Sequence, residues 1–158
     1  GDVYKRQVGT RMIQALEAAD QETDDLTQQM RMSDKDYENL LAIVEAEAGG
    51  EDLDGKIMVT NVILNRVSSD QFPDNVTSVI WDRTGGSPQF SPTEDGRIYT
   101  VTVSDDTREA VNRAIDGDDL SQGALYFIAK DQADEKNVKW FDEKLTFLFA
   151  HGGHSFYI

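Results

Sequence analysis

One stretch limits what this chain can fold into more than any other. Between Gly55 and Val67 the residues Ile57, Met58, Val59, Val62, Ile63, Leu64 and Val67 follow so closely that a helix built from them has almost no polar face. Such a helix is stable only when other elements surround it, so it belongs in the middle of a core. A chain of 158 residues is long enough to build one such core without disulfide or metal staples. The flanking sequence supplies the wrapping. Ser33 provides an N-cap with Asp36 three residues on, and Tyr37, Leu40, Leu41, Val44 and Ala48 keep the spacing of an amphipathic helix that Gly49-Gly50 ends. Asn75 to Trp81 reads as a short helix, and Thr84 to Tyr99, with Gly85, Gly86, Pro88, Pro92 and Gly96, as a long surface loop. Ser104 or Asp105 caps a helix that carries Ala110, Val111, Ala114 and Ile115 inward and stops at Gly117. The period then changes. Ala124 to Ile128, Leu145 to Phe149 and Ser155 to Ile158 read as three strands, with His151-Gly152-Gly153-His154 as a turn. The expected class is α+β, mainly helical, with a small three-stranded antiparallel sheet near the C-terminus.

Residues 33–158 form the expected folded domain. Residues 1–32 are polar and acidic and read as a tether or loosely docked segment, of which 1–7 (Gly-Asp-Val-Tyr-Lys-Arg-Gln) look artefactual. No apolar run approaches the roughly 18 residues needed to span a bilayer, so no membrane span is expected. Fifteen Lys and Arg against 30 Asp and Glu give a net charge of −15, a field that repels polyphosphate. Nucleic acid and anionic membrane surfaces are therefore poor partners. The absence of cysteine removes thiol nucleophiles and Cys-based zinc sites.

Chemistry has to come from carboxylates. On the helical wheel Glu45 falls beside Glu38 on the wet face, so its replacement by Gln should do little. Glu47 has Ile43 and Val44 as its i−4 and i−3 neighbours and Leu40 seven back, on the flank of the apolar stripe. Two readings fit Glu47: a desolvated carboxyl with a raised pKa that can donate a proton to a leaving oxygen, or a helix-end carboxylate bonded to backbone amides. Glu51, Asp52 and Asp54 read first as a wet turn and helix cap. Gln89-Phe90-Ser91, followed by Asp95, offers an amide, a ring, a hydroxyl and a carboxylate to a sugar, or else a loop anchored by a buried Phe. Tyr126 and Trp140 could line a saccharide groove or fill the core. His151 and His154 lack a third ligand, and Asp116 to Asp119 lacks the Glu of a calcium loop, so no metal and no cofactor is expected.

These residues carry a resemblance. The run Leu41-Ala42-Ile43-Val44-Glu45-Ala46-Glu47-Ala48-Gly49-Gly50-Glu51, then Gly55-Lys56-Ile57 and Val62-Ile63-Leu64-Asn65-Arg66-Val67, resembles the opening of the spore cortex-lytic (SleB-like) cell wall hydrolase family. Phe72-Pro73, Val79-Ile80, Gln89-Phe90-Ser91-Pro92, Asp95-Gly96-Arg97, Ala110-Val111, Gly123-Ala124-Leu125-Tyr126-Phe127, Trp140 and Gly153-His154-Ser155-Phe156-Tyr157 follow in the same order, over about residues 33–158. The chain departs from that pattern at Ile128-Ala129-Lys130, where many members turn through Asn-Pro.

The resemblance implies a lysozyme-like fold. It also implies a lytic transglycosylase or muramidase that cuts the bond between N-acetylmuramic acid and N-acetylglucosamine in peptidoglycan, with the catalytic glutamate at Glu47. Glu51, Gln89, Phe90, Ser91, Asp95, Tyr126, Trp140 and His154 are the expected substrate contacts. The mechanism expected is a single acid/base that leaves 1,6-anhydromuramic ends. The alternatives are a hydrolytic muramidase in which Glu51 or Asp95 activates water, and a non-catalytic glycan-binding module. The expected partner is a peptidoglycan glycan strand, met by a monomer outside the cytoplasm, in the cell wall or spore cortex, with room for an accessory delivery protein. No signal peptide is visible in a sequence that starts without Met.

Overall fold

The computed structural model describes residues 32–84, 86 and 89–158, so the expectations for residues 1–31 lie outside the described part. Residues 36–158 form one compact unit, and the fold below is that unit's, with its first helix beginning two residues earlier. Its elements are α1 (Asp34–Ala48), α2 (Leu53–Val67), α3 (Val76–Ile80), α4 (Pro92–Asp95), α5 (Arg97–Thr100), α6 (Asp105–Ile115), β1 (Tyr126–Ile128), α7 (Glu135–Lys144), β2 (Phe147–His151) and β3 (His154–Tyr157).

Helix α2 is the central helix the sequence demands. Ile57, Val59, Val62 and Ile63 are fully buried, each contributing about 1.5–3 kcal/mol relative to exposure. Asp52 caps it by accepting from the Gly55 amide at 2.8 Å. Lys56, Thr60, Asn61 and Arg66 of α2 are buried as well, with Asn65 half-buried. Asn61 donates to the Asp118 carbonyl at 2.9 Å and accepts from the Leu120 amide at 2.9 Å, and Asn65 donates to Ser121 Oγ and the Ala124 carbonyl. These side chains replace the secondary structure that residues 116–125 lack, because a buried backbone without partners would be costly. The neighbour packed most extensively on α2 is α6, through Ala110 and Ala114 against Ile57.

In α1 the residues Leu40, Leu41, Val44 and Ala48 are buried, as the spacing predicts, and so is Ile43, while Tyr37 at the start of the stripe is half-buried. Asp36 turns across to α3, where it accepts from the Thr77 amide and hydroxyl. The stretch from Thr84 to Tyr99 is not wholly a loop. Pro92 starts α4 and Gly96, at φ +88, allows the turn directly into α5. Phe90, Pro92 and Ile98 anchor these short helices in the core.

The sheet order is β1-β3-β2, antiparallel throughout, with Phe127 opposite Phe156 and Phe156 opposite Phe149. Alternation sorts the aromatic residues onto two faces. Phe127, Phe149, Phe156 and His154 share one face, and Tyr126, Phe147 and Tyr157 share the other. The expected turn shortens to Gly152-Gly153, since His151 ends β2 and His154 begins β3. Helix α7, capped by Asp134, is unforeseen in the sequence reading and has no fully buried residue. Among the described residues no helix is long and apolar enough to cross a membrane.

Candidate active site

Helix α1 carries two glutamates near its C-terminal end, and they point to different tasks. Glu45 is not on a wet face. Its Oε1 accepts from the Ser104 amide at 3.0 Å and the Thr107 hydroxyl at 2.6 Å, so it closes the N-terminus of α6. Burial alone would raise its pKa, but the hydrogen bonds from Ser104 and Thr107 and the nearby Lys56 charge outweigh it and hold the carboxyl below its ordinary range. The wheel reading fails here because the partners come from 59 and 62 residues away.

Glu47 is half-buried, and its carboxyl is desolvated enough to raise its pKa from 4.5 to about 7. The Arg97 charge opposes that rise and the Asp95 charge adds to it. Both come from the segment around Gly96. Asp95 accepts from the Arg97 amide and from Arg97 Nε, each at 2.9 Å, and Arg97 Nη2 donates to Ser91 Oγ at 3.0 Å. Those bonds to Arg97 keep the Asp95 carboxyl ionised, below its ordinary range. A carboxyl that titrates near neutrality therefore faces a fixed ion pair.

The backbone of Glu47 meets the β2–β3 hairpin at His154. Glu51 Oε1 accepts from the Gly153 amide at 3.0 Å, and His151 Nε2 sits 2.9 Å from Asp52 Oδ1. These two carboxylates, in the link between α1 and α2, thus grip the hairpin turn. Gly152 is required there: its φ is +56, and an added Cβ would meet Glu51 Oε1 at 2.1 Å. His154, 5% exposed, is lowered in pKa by burial, against the pull of the Glu51 carboxylate and the Glu47 backbone carbonyl. Its Nδ1 is buried without a hydrogen-bond partner among the described residues.

The structure thus gathers Ser91 and Asp95, through Arg97, and Glu51 and His154 around Glu47. Phe90 is only 2% exposed and packs against Phe127 at 6.0 Å, so it supports the site from beneath and does not present a ring to a sugar. Gln89 accepts from Arg66 Nη1 at 3.5 Å. Arg66 itself is buried among Phe72, Phe90 and Tyr126 with its Nε donating to the Leu125 carbonyl at 2.7 Å, and desolvation lowers its pKa to about 10. Tyr126 and Trp140 meet each other and Phe141, and Tyr126 also meets Phe72; Tyr126 projects from the opposite face of the sheet to Phe127 and His154. A hollow of about 430 Å³ beside α7, lined by Lys130, Ala133, Val138 and Asp142 among others, contains none of the candidate residues. Sequence reasoning missed Arg97 and Arg66. The signal for Arg97 was its place next to Asp95 and Gly96; Arg66 had none beyond a cation inside an apolar helix.

Known proteins resemble this chain in sequence and in fold. The pattern of the Cell Wall Hydrolase family matches residues 50–157. The chain is 41% identical over 101 residues to a spore cortex-lytic enzyme of Halalkalibacterium halodurans, covering 64% of this chain and 29% of that protein. It is 39% identical over 101 residues to the spore cortex-lytic enzyme of Bacillus subtilis, covering 64% and 32%. The chain therefore spans about a third of the length of these relatives. The catalytic domain of the germination-specific lytic transglycosylase SleB from Bacillus anthracis superposes with a TM-score of 0.67 at 32% identity, covering 80% of this chain and 96% of that domain. The SleB catalytic domain of Bacillus cereus gives 0.65 at 32%, covering 80% and 91%. The lysozyme-like α+β architecture is thereby shared with solved structures, and the chain belongs to the cell wall hydrolase family.

Proposed function

We propose that residues 33–158 are the catalytic domain of a peptidoglycan lytic transglycosylase, acting outside the cytoplasm on the bond between N-acetylmuramic acid and N-acetylglucosamine. The observation that carries this reading is the Glu47 carboxyl, whose pKa of about 7 lets one group give a proton and take it back near neutral pH. Glu47 protonates the glycosidic oxygen as the bond breaks. It then accepts the proton of the muramic 6-hydroxyl as that oxygen bonds to C1, closing a 1,6-anhydro ring without water. Desolvation sets the proton affinity of Glu47 and the Arg97 and Asp95 charges trim it, while Ser91, Gln89, Glu51 and His154 border the sugars. The relatives' names, spore cortex-lytic enzyme and germination-specific lytic transglycosylase, support spore cortex as the substrate. So does the charge of −15, which disfavours a wall rich in anionic peptides.

The hydrolytic alternative needs a carboxylate free to activate water. Asp95 is committed to Arg97, and Glu51 to the Gly153 amide, which favours the transglycosylase. Mass spectrometry of digested peptidoglycan decides the matter. Anhydromuramic ends are expected; reducing ends would establish a hydrolase, and no products a binding module.

A further inference from the structure

Tyr99 is 77% exposed, an unusual position for a ring whose helix is otherwise anchored by the buried Ile98. Its backbone is fixed: the Tyr99 amide donates to the Gly96 carbonyl at 3.0 Å, and the Val101 amide closes α5 on the Arg97 carbonyl at 3.2 Å. The ring leans on Trp81, centroids 5.8 Å apart and planes tilted by 40°. Trp81 is pinned in turn, because its Nε1 donates to Asn39 Oδ1 at 3.4 Å and Asn39 Nδ2 donates to Thr77 Oγ1 at 3.3 Å. Two aromatic rings are thus held rigidly at the surface, with a side-chain amide beside them.

Their place relative to Glu47 is set twice over. Asn39 precedes Glu47 by eight residues of α1, which at 1.5 Å per residue is about 12 Å along the helix and about 80° around it. Arg97, whose charge acts on Glu47, is two residues before Tyr99 on α5. The aromatic pair therefore lies along α1 from Glu47, a few sugar rings away.

We propose that Trp81 and Tyr99 form a stacking platform for a pyranose ring of the glycan strand outside the linkage cleaved at Glu47. A pyranose offers a face of C–H groups to an aromatic ring and a hydroxyl to the neighbouring Asn39 amide. Charge selects the occupant: a chain of net charge −15 disfavours carboxylate-bearing stem peptides and muramic acid, so the ring on the platform is the neutral N-acetylglucosamine of the strand. The proposal rests on the glycan reading above and adds a subsite to it.

The test titrates glycan strands stripped of stem peptides by an amidase into Glu47→Gln, which is expected to bind without cleaving, with and without Tyr99→Ala or Tyr99→Phe. Tyr99→Ala should weaken binding about 3- to 10-fold with an unchanged melting temperature, and Tyr99→Phe should keep the parent affinity. In the active chain Tyr99→Ala should raise KM on long strands and leave kcat unchanged. Equal affinity of the Tyr99→Ala and Tyr99 proteins overturns the platform alone. Binding seen only with peptide-bearing strands overturns it in favour of peptide recognition, and no binding to either kind of strand overturns the platform and the glycan reading together.

Discussion

Glu45 and Glu47 stand two residues apart on one helix and are driven in opposite directions: hydrogen bonds from Ser104 and Thr107 keep Glu45 ionised, while desolvation pushes Glu47 toward its neutral form. The contrast follows from what each meets. Glu45 reaches the open amides of a helix N-terminus, which replace its lost water. Glu47 meets apolar flanks and an ion pair whose charges oppose each other, so its hydration is lost without equivalent replacement.

For Glu45 the expected outcome is a stability defect. Glu45→Ala leaves the Ser104 amide and Thr107 hydroxyl without their acceptor, at a cost of about 1–3 kcal/mol. Because the folded pKa is depressed, this contribution is present above the unfolded pKa and is lost as pH falls through the folded value. Melting curves at about pH 7 and pH 3 should show a gap between parent and variant that closes in acid.

Glu47→Gln should keep the fold and lose at least about 100-fold in rate, the lower end of an acid–base contribution. The linkage runs opposite to that of Glu45. A folded pKa raised from 4.5 to about 7 means that ionised Glu47 costs stability, little below pH 4.5 and fully above pH 7. The cost is at most roughly 3 kcal/mol. Gln should therefore gain on Glu in melting temperature between pH 5 and pH 8. A Gln that loses ground at high pH would make Glu47 a satisfied structural carboxylate.

The sequence exposes whatever a single element decides for itself. Helix α2 is legible because it has no face to leave wet, and Glu47 because Ile43, Val44 and Leu40 flank it within its own helix. Glu45 is misread because its partners arrive on α6, and helical spacing is silent about what packs from elsewhere. Helix α7 escapes notice for a related reason: it buries nothing completely, so Val138 and Phe141 leave only a faint period. Tyr126 looks like a groove residue because composition cannot say which face of a strand it occupies, and Trp140 because the helix that carries it leaves so faint a period.

Activity should survive exhaustive chelation. His151 is held by Asp52, His154 is buried against Phe127 at 5.2 Å, and no group of three His, Cys, Asp or Glu among the described residues is placed to hold an ion. Loss of activity on chelation with selective rescue by zinc or calcium would contradict this.

Gly152→Ala should destabilise the hairpin by roughly 2 kcal/mol, combining a left-handed backbone with a collision against Glu51. Adding Glu51→Ala removes the collision and leaves the backbone strain. The double variant should thus be more stable than the two single losses summed, a coupling that thermal melts of all four proteins would measure.

Arg97 provides the last test, because it acts on the rate through Glu47 without donating a proton itself. Its charge lowers the proton affinity of Glu47, and the Asp95 charge raises it. Arg97→Gln removes the cation and leaves Asp95 in place, so Glu47 then faces a lone anion and its pKa must rise further. Since the first step needs protonated Glu47, the rate falls as pH climbs through that pKa, and the alkaline limb should move upward from about 7 in Arg97→Gln. Salt should narrow the shift, because Arg97 and Asp95 are both about half exposed. A pH–rate profile of the variant with its limb unmoved or displaced downward would mean that Arg97 does not set the protonation of Glu47.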